Sequence, residues 1–213
     1  MRPLSALIRE HVTPVANAAG FRRTGRTFWM AGSRLDYVLF GFQVYAVDPV
    51  AVVFDVEFHA VPDPYRDWLN RGQQPPGKVP NSSCALMTGR CIPPASVAHS
   101  PDGRLPFRTR WALRPGEEAT CGRVLAETLS TESLPHIQLL LDRAHLLEVA
   151  RSRDGYLMKR MTPILREIVL RIDDISAPEL AGLLAAAEAS GAPPAFAHWA
   201  RERHAAQKGS RGA

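Results

Sequence analysis

The chain has 213 residues, 46% of them hydrophobic and 22% charged, with a formal net charge of +5. That balance is one of an ordinary globular chain with room for a sizeable core, and it excludes a largely disordered one. No run of about 18 apolar residues occurs, so no membrane span is expected.

The opening apolar run is broken by Arg9 and Glu10, which does not fit a secretory signal. All basic residues except Lys78, Lys159 and Lys208 are arginine, and they gather toward the two ends. This reads as a solvated basic surface, and no nucleic-acid motif accompanies it. Cys84, Cys91 and Cys121 form no C-x-x-C pair, so reduced thiols and a cytoplasmic location are expected.

In chain order, Leu4, Leu7, Ile8, Val12, Val15, Ala16 and Ala19 recur at helical spacing over 3–19, with Pro14 as a kink. Gly20 suits the residue just past the helix end. Three strands follow at 26–31, 35–46 and 50–61. In the second, Val38, Phe40, Phe42 and Val44 share one face, while Tyr37, Gln43 and Tyr45 share the other. In the third, Phe54, Val56 and Phe58 oppose Asp55, Glu57 and His59. Period two of this kind predicts an antiparallel meander with helices on its apolar face and a wetter second face.

Residues 61–106 hold nine of the 18 prolines, which predicts a long irregular loop with a short strand near 84–92. Residues 108–113 return as a strand, with Trp111 as a core anchor. Helices are expected from Glu117, after Leu134-Pro135, over 157–170, after Ser176 and over 195–206. Ser176 with Glu179 forms a capping box. The fold class is therefore α+β. Residues 1–153 form the sheet domain, 154–207 a helical extension packed on it, and 208–213 a disordered tail.

The stretch Gly20-Phe21-Arg22-Arg23, with Gly25, Phe28 and Pro14 in the helix before it, resembles a signature met in bacterial α+β proteins. That family, a domain of unknown function, carries Gly-Phe-Lys-Lys-x-Gly-x-x-Phe. Cys84 and the strand around Trp111 match it more loosely, and the similarity spans roughly 5–150. It implies a fold and no catalytic residues.

No Walker loop, dinucleotide fingerprint, nucleophile elbow or H-E-x-x-H is present. Asp55, Glu57 and His59 share a strand face, which is a sufficient set for acid–base work, with Gln43 and Tyr45 beside them. A solvated face with cross-strand arginine partners is the plainer reading. Arg22, Arg23 and Arg26 are candidates for an anion, or simply the wet side of an edge strand. Cys84 and Cys91 are weak nucleophile candidates. His136 and His145 should face opposite sides of a helix, and His99 should be exposed. No cofactor or metal is implied. The expected function is a binding module for an unknown small molecule or protein. An enzyme using the polar sheet face, and nucleic-acid binding through the arginines, are the alternatives.

Overall fold

The computed structural model describes residues 2–47, 49–71, 79–99, 109–152, 157–158 and 161–211. The N-terminal rod comprises α1 (Arg2–Leu7), a wide π-helical turn at Ile8–Val12 and α2 (Thr13–Ala18). Its π turn lies just before Pro14. Proline has no N–H and pushes away the carbonyl one turn back, so the ladder widens there. The Ile8 carbonyl accepts both the Thr13 N–H and, at 2.9 Å, the Thr13 hydroxyl.

The rod ends at Gly20, whose φ of 83° is left-handed. The Phe21 N–H returns to the Ala16 carbonyl and the Gly20 N–H to the Asn17 carbonyl, both at 2.9 Å. That paired closure tucks Phe21 into the core.

The strands are β1 (Arg22–Thr24), β2 (Thr27–Ala31), β3 (Tyr37–Val47), β4 (Val52–Val61), β5 (Met87–Cys91), β6 (Ala98–His99), β7 (Arg110–Leu113) and β8 (Leu157–Met158). They form one antiparallel sheet in the order β1-β2-β3-β4-β5-β8, with β7 beside the first half of β4 and β6 outside β7. The second, third and fourth strands match the expected ones within two residues. The chain is α+β, as the alternation predicts.

On the apolar face Phe28, Phe40, Phe54 and Trp111 are fully buried. Phe28 stacks on Phe40 at 4.6 Å between centroids, and Phe54 on Trp111 at 6.3 Å. Val38, Val56 and Phe58 are buried with them. Phe42, expected to be buried, is half-buried: beyond it the β3–β4 hairpin projects past the helices, and Tyr45, Val47 and Val50 are exposed.

The remaining helices are α3 (Asp63–Asn70), α4 (Glu118–Thr128), α5 (Leu134–Leu139), α6 (Arg143–Ser152), α7 (Pro163–Arg171), α8 (Ala177–Ala189) and α9 (Pro194–Arg211). A π turn at Leu129–Ser133 joins α4 to α5 just before Pro135, repeating the device at Pro14. Ser176 accepts the Glu179 N–H, as the capping box requires. Leu165, Ile168, Leu180, Leu184 and Phe196 share one buried cluster with Leu4, Phe40 and Phe54. The C-terminal helices therefore complete the core of the sheet.

Several segments differ from expectation. The helix expected over 157–170 begins only at Pro163, because Leu157 and Met158 pair with β5 as a strand at the sheet edge. Asp63–Asn70 is helical inside the stretch read as loop: Pro64 falls in the first helical turn, where its missing N–H costs nothing. Helix α9 runs on to Arg211, through part of the expected tail, and residues 212–213 lie outside the described ones. So do 72–78 and 100–106 of the proline-rich stretch.

Candidate functional site

The second face of the sheet is not uniformly wet. At one end Tyr37, Leu39 and Val61 are buried with Ala85 in a separate apolar cluster, joined by Trp29, Val79 and Cys84. At the other end Ala51, Val53 and Ala112 form a third cluster. The polar residues lie between. Their rows follow the register: Thr27, Gly41, Glu57 and Arg90 stand side by side across four strands, and Trp29, Leu39, His59 and Thr88 form the next row.

Over these rows lies a cleft of about 330 Å³. Its floor includes Gly41, Glu57 and His59. Thr27, Trp29 and Gln43 line its sides, and Val79–Ser82 wall it from above. The proline-rich stretch thus roofs the face in part. Asn81 holds that wall in shape by accepting the Ser83 N–H at 3.0 Å, an Asx turn opening the short 3₁₀ turn at Ser82–Cys84.

The expected triad is divided. Asp55 is buried and does not line the cleft. It lies where β5 and β7 meet along β4, and its carboxylate takes a hydrogen bond from Arg90 while the Arg110 Nε stands 3.6 Å away. Arg90 also donates to the Thr109 carbonyl at 2.9 Å, and Arg110 lies over the exposed Tyr45 ring at 4.0 Å. Asp55 and Tyr45 therefore belong to a cross-strand ion-pair group. Glu57 and His59 remain in the cleft, with Gln43. His59 Nδ1 is 3.0 Å from Thr88 Oγ1.

Glu57 has no hydrogen bond or ion pair among the described residues. Burial, and then the neighbouring Asp55 carboxylate, push its carboxyl above the ordinary range, while Arg90 opposes them. A carboxyl raised on folding contributes stability that is full below its unfolded pKa and is lost as pH rises through the folded one. Glu57→Gln removes that loss. The variant should melt above the parent near neutral pH, with the gap shrinking as pH falls toward about 4. Melting curves of both proteins across that range check this, and a gap that does not change with pH would show that Glu57 carries no such strain.

The arginines of the opening motif hold the edge of the sheet. Arg22 and Arg23 are exposed on β1, and Gly25, with φ 61°, makes the tight turn to β2. Arg23 donates to the Gly25 carbonyl at 2.8 Å and to Thr13 Oγ1 at 2.9 Å, and lies 5.5 Å from the Phe28 ring. Arg22 lies 5.4 Å from the Trp29 ring. Arg26 is half-buried in the turn. None of the three lines the cleft.

All three cysteines are free. Burial pushes the Cys91 and Cys121 thiols up to about 11, which leaves little thiolate at neutral pH. His136 and His145 do not face opposite sides of one helix. The chain breaks at Leu140–Asp142, Asp142 caps α6 through the Ala144 N–H at 2.8 Å, and the two rings approach to 6.4 Å. Burial, then His145, lowers the His136 pKa. Among the described residues no three His, Cys, Asp or Glu side chains gather as a metal would require. No helix there is long and apolar enough to cross a membrane.

Gly41 is the residue that sequence reading passed over. It occupies a central strand, where glycine lacks a side chain to pack and costs backbone entropy. Its φ is not left-handed, and an added Cβ would meet nothing closer than the Arg26 carbonyl oxygen at 3.5 Å. Gly89 differs: a Cβ there would come within 2.2 Å of the Phe58 ring, so packing alone requires it. The signal available in the sequence was a glycine in phase with Gln43, amid an otherwise unbroken alternation.

No family model matches the chain, and no curated protein or solved structure shows significant similarity to it.

Proposed function

We propose that the chain is a ligand-binding module whose site is the cleft over Gly41. The observation that carries this is the open floor. Gly41 weakens a central strand without backbone or packing need, and the vacancy it leaves is flanked by Thr27, Glu57 and Gln43. A half-open cleft of this size, with apolar and polar groups converging, suits a small organic molecule. The test is an amide-resonance map of the ¹⁵N-labelled protein against a library of small polar compounds. Binders should shift Gly41, Glu57, His59 and Asn81 together. Binders whose shifts cluster elsewhere would overturn the assignment.

A second reading, acid–base catalysis in the same cleft, draws on Glu57 and His59. A raised carboxyl beside an imidazole is a usable donor–acceptor pair. Under it, Glu57→Gln abolishes turnover of a compound that binds the cleft while leaving binding intact. Unaltered turnover in the folded variant would remove this reading and leave the binding module.

The family resemblance, carried by Gly20–Phe28 with Pro14 and more loosely by Cys84 and the Trp111 strand, adds no chemistry to either reading.

A further inference from the structure

We infer that the cleft selects a ligand bearing an organic cation, a protonated amine or amidinium, seated against the Glu57 carboxylate. This rests on the reading of the cleft as a binding site and adds the charge of its ligand.

Among the described lining residues Glu57 is the one acidic side chain, and no arginine or lysine lines the cleft with it. The nearest guanidinium, Arg90, stands directly across from Glu57 in the register, yet it donates to Asp55 and to the Thr109 carbonyl. Glu57 is therefore a half-buried carboxylate whose natural counterion is turned to another acid. Gly41, beside it on β3, leaves the space through which a group can approach the carboxylate from the side.

Three kinds of ligand can be weighed. An anion would have to sit against Glu57, with no arginine or lysine to receive it among the described lining residues. A neutral hydroxyl donor would replace water at the carboxylate with a bond of similar strength. A cationic N–H donor forms a charge-assisted bond, about twice as strong as a neutral one, and supplies the missing countercharge. Its charge would also offset the Asp55 repulsion, which together with burial holds the carboxyl up. The rest of the lining suits the remainder of such a molecule. Trp29 offers an indole, on whose ring Arg22 already shows that a cation can settle. Thr27, Gln43 and Asn81 offer hydrogen-bonding groups. Arg22 itself is exposed and outside the lining, so it is solvated and does not neutralise Glu57.

The test uses three probes of one shape: benzylamine, benzyl alcohol and benzoate. Each is titrated near neutral pH into the ¹⁵N-labelled full chain, following the Gly41, Glu57 and His59 amides and the Trp29 indole N–H. Benzylamine should shift these signals with an affinity at least about tenfold above that of benzyl alcohol, and benzoate should bind least. In Glu57→Gln the advantage of the amine over the alcohol should fall below about threefold. Equal or tighter binding of benzyl alcohol or benzoate at those signals would overturn the cation preference and leave the cleft standing as a site. Failure of all three to move the signals would overturn the preference and the site together. The wild-type comparison needs no variant, so a misfolded Glu57→Gln could not obscure the result.

Discussion

Arg143→Ala should destabilise the protein by about 3–5 kcal/mol, the range for removing one partner of a buried ion pair. Arg143 reaches from α6 to two acids. It grips Asp36, just before β3, at 2.7 and 2.9 Å, and Asp173, just after α7, at 2.6 Å. Its side chain is 7% exposed, and those of Asp36 and Asp173 are 6% and 7%. The truncation would leave Asp173 to Arg203, which holds it from α9 at 2.9 and 3.0 Å. Asp36 would keep the Asp63 N–H but lose its cation. An uncompensated buried carboxylate is what makes the loss large. The exposed Arg34–Asp174 pair nearby, at 49% and 44% exposure, supplies a control: Arg34→Ala should cost under about 1 kcal/mol. Urea unfolding of the two variants separates these cases, and equal losses would contradict the account of the network.

The network also sets an acid limit. Burial alone would push the Asp173 carboxyl up, but the bonds from Arg203 and Arg143 outweigh it and hold it below the ordinary range. A carboxyl lowered on folding stabilises above its unfolded pKa, and that contribution is lost as pH falls through the folded one. The loss therefore comes below about pH 4.

Trp111→Ala should cost about 3–5 kcal/mol, as for other large core truncations. The residue is fully buried and packs on Phe54, and its indole N–H donates to the Cys91 carbonyl at 3.0 Å. That bond spans the place where β5 and β7 meet along β4, the same junction that Asp55 secures on the other face. β7 is four residues long, so few other contacts can replace the anchor. Trp111→Phe keeps most of the ring and loses the N–H. It should cost less, about 1–3 kcal/mol for the stranded carbonyl and reduced volume. Urea unfolding checks both, and a loss below about 1 kcal/mol for the alanine variant would show the junction to be independent of Trp111.

What was legible in the sequence followed from periodicity. The alternation around Phe40 and Phe54 fixed which residues face the helices, because a strand in the wrong phase would put every phenylalanine in water. Glu57 and His59 were placed together by the same rule. The partners of Asp55 were not legible. Arg90 comes from a short strand inside the proline-rich stretch and Arg110 from the strand after it, and which strand flanks β4 is decided by tertiary contact. Asp36 and Arg143 are likewise 107 positions apart, with no periodic signal linking them. Helix α3 was hidden by its own prolines, since Pro64 favours a helix start and opposes a helix interior. Phe42 was misjudged because alternation gives the face of a residue but not where the covering helices stop.

The central claim, that the vacancy at Gly41 is a ligand site, is tested most directly by Gly41→Val. A Cβ there meets ordinary contacts, and a β-branched residue suits a central strand. The variant should melt no lower than the parent, and its side chain should fill the floor between Thr27 and Glu57. Benzylamine, titrated into both proteins, should bind the parent and lose at least about tenfold in affinity for the variant. A folded Gly41→Val protein that binds benzylamine as the parent does, with the same amides shifted, would contradict the claim.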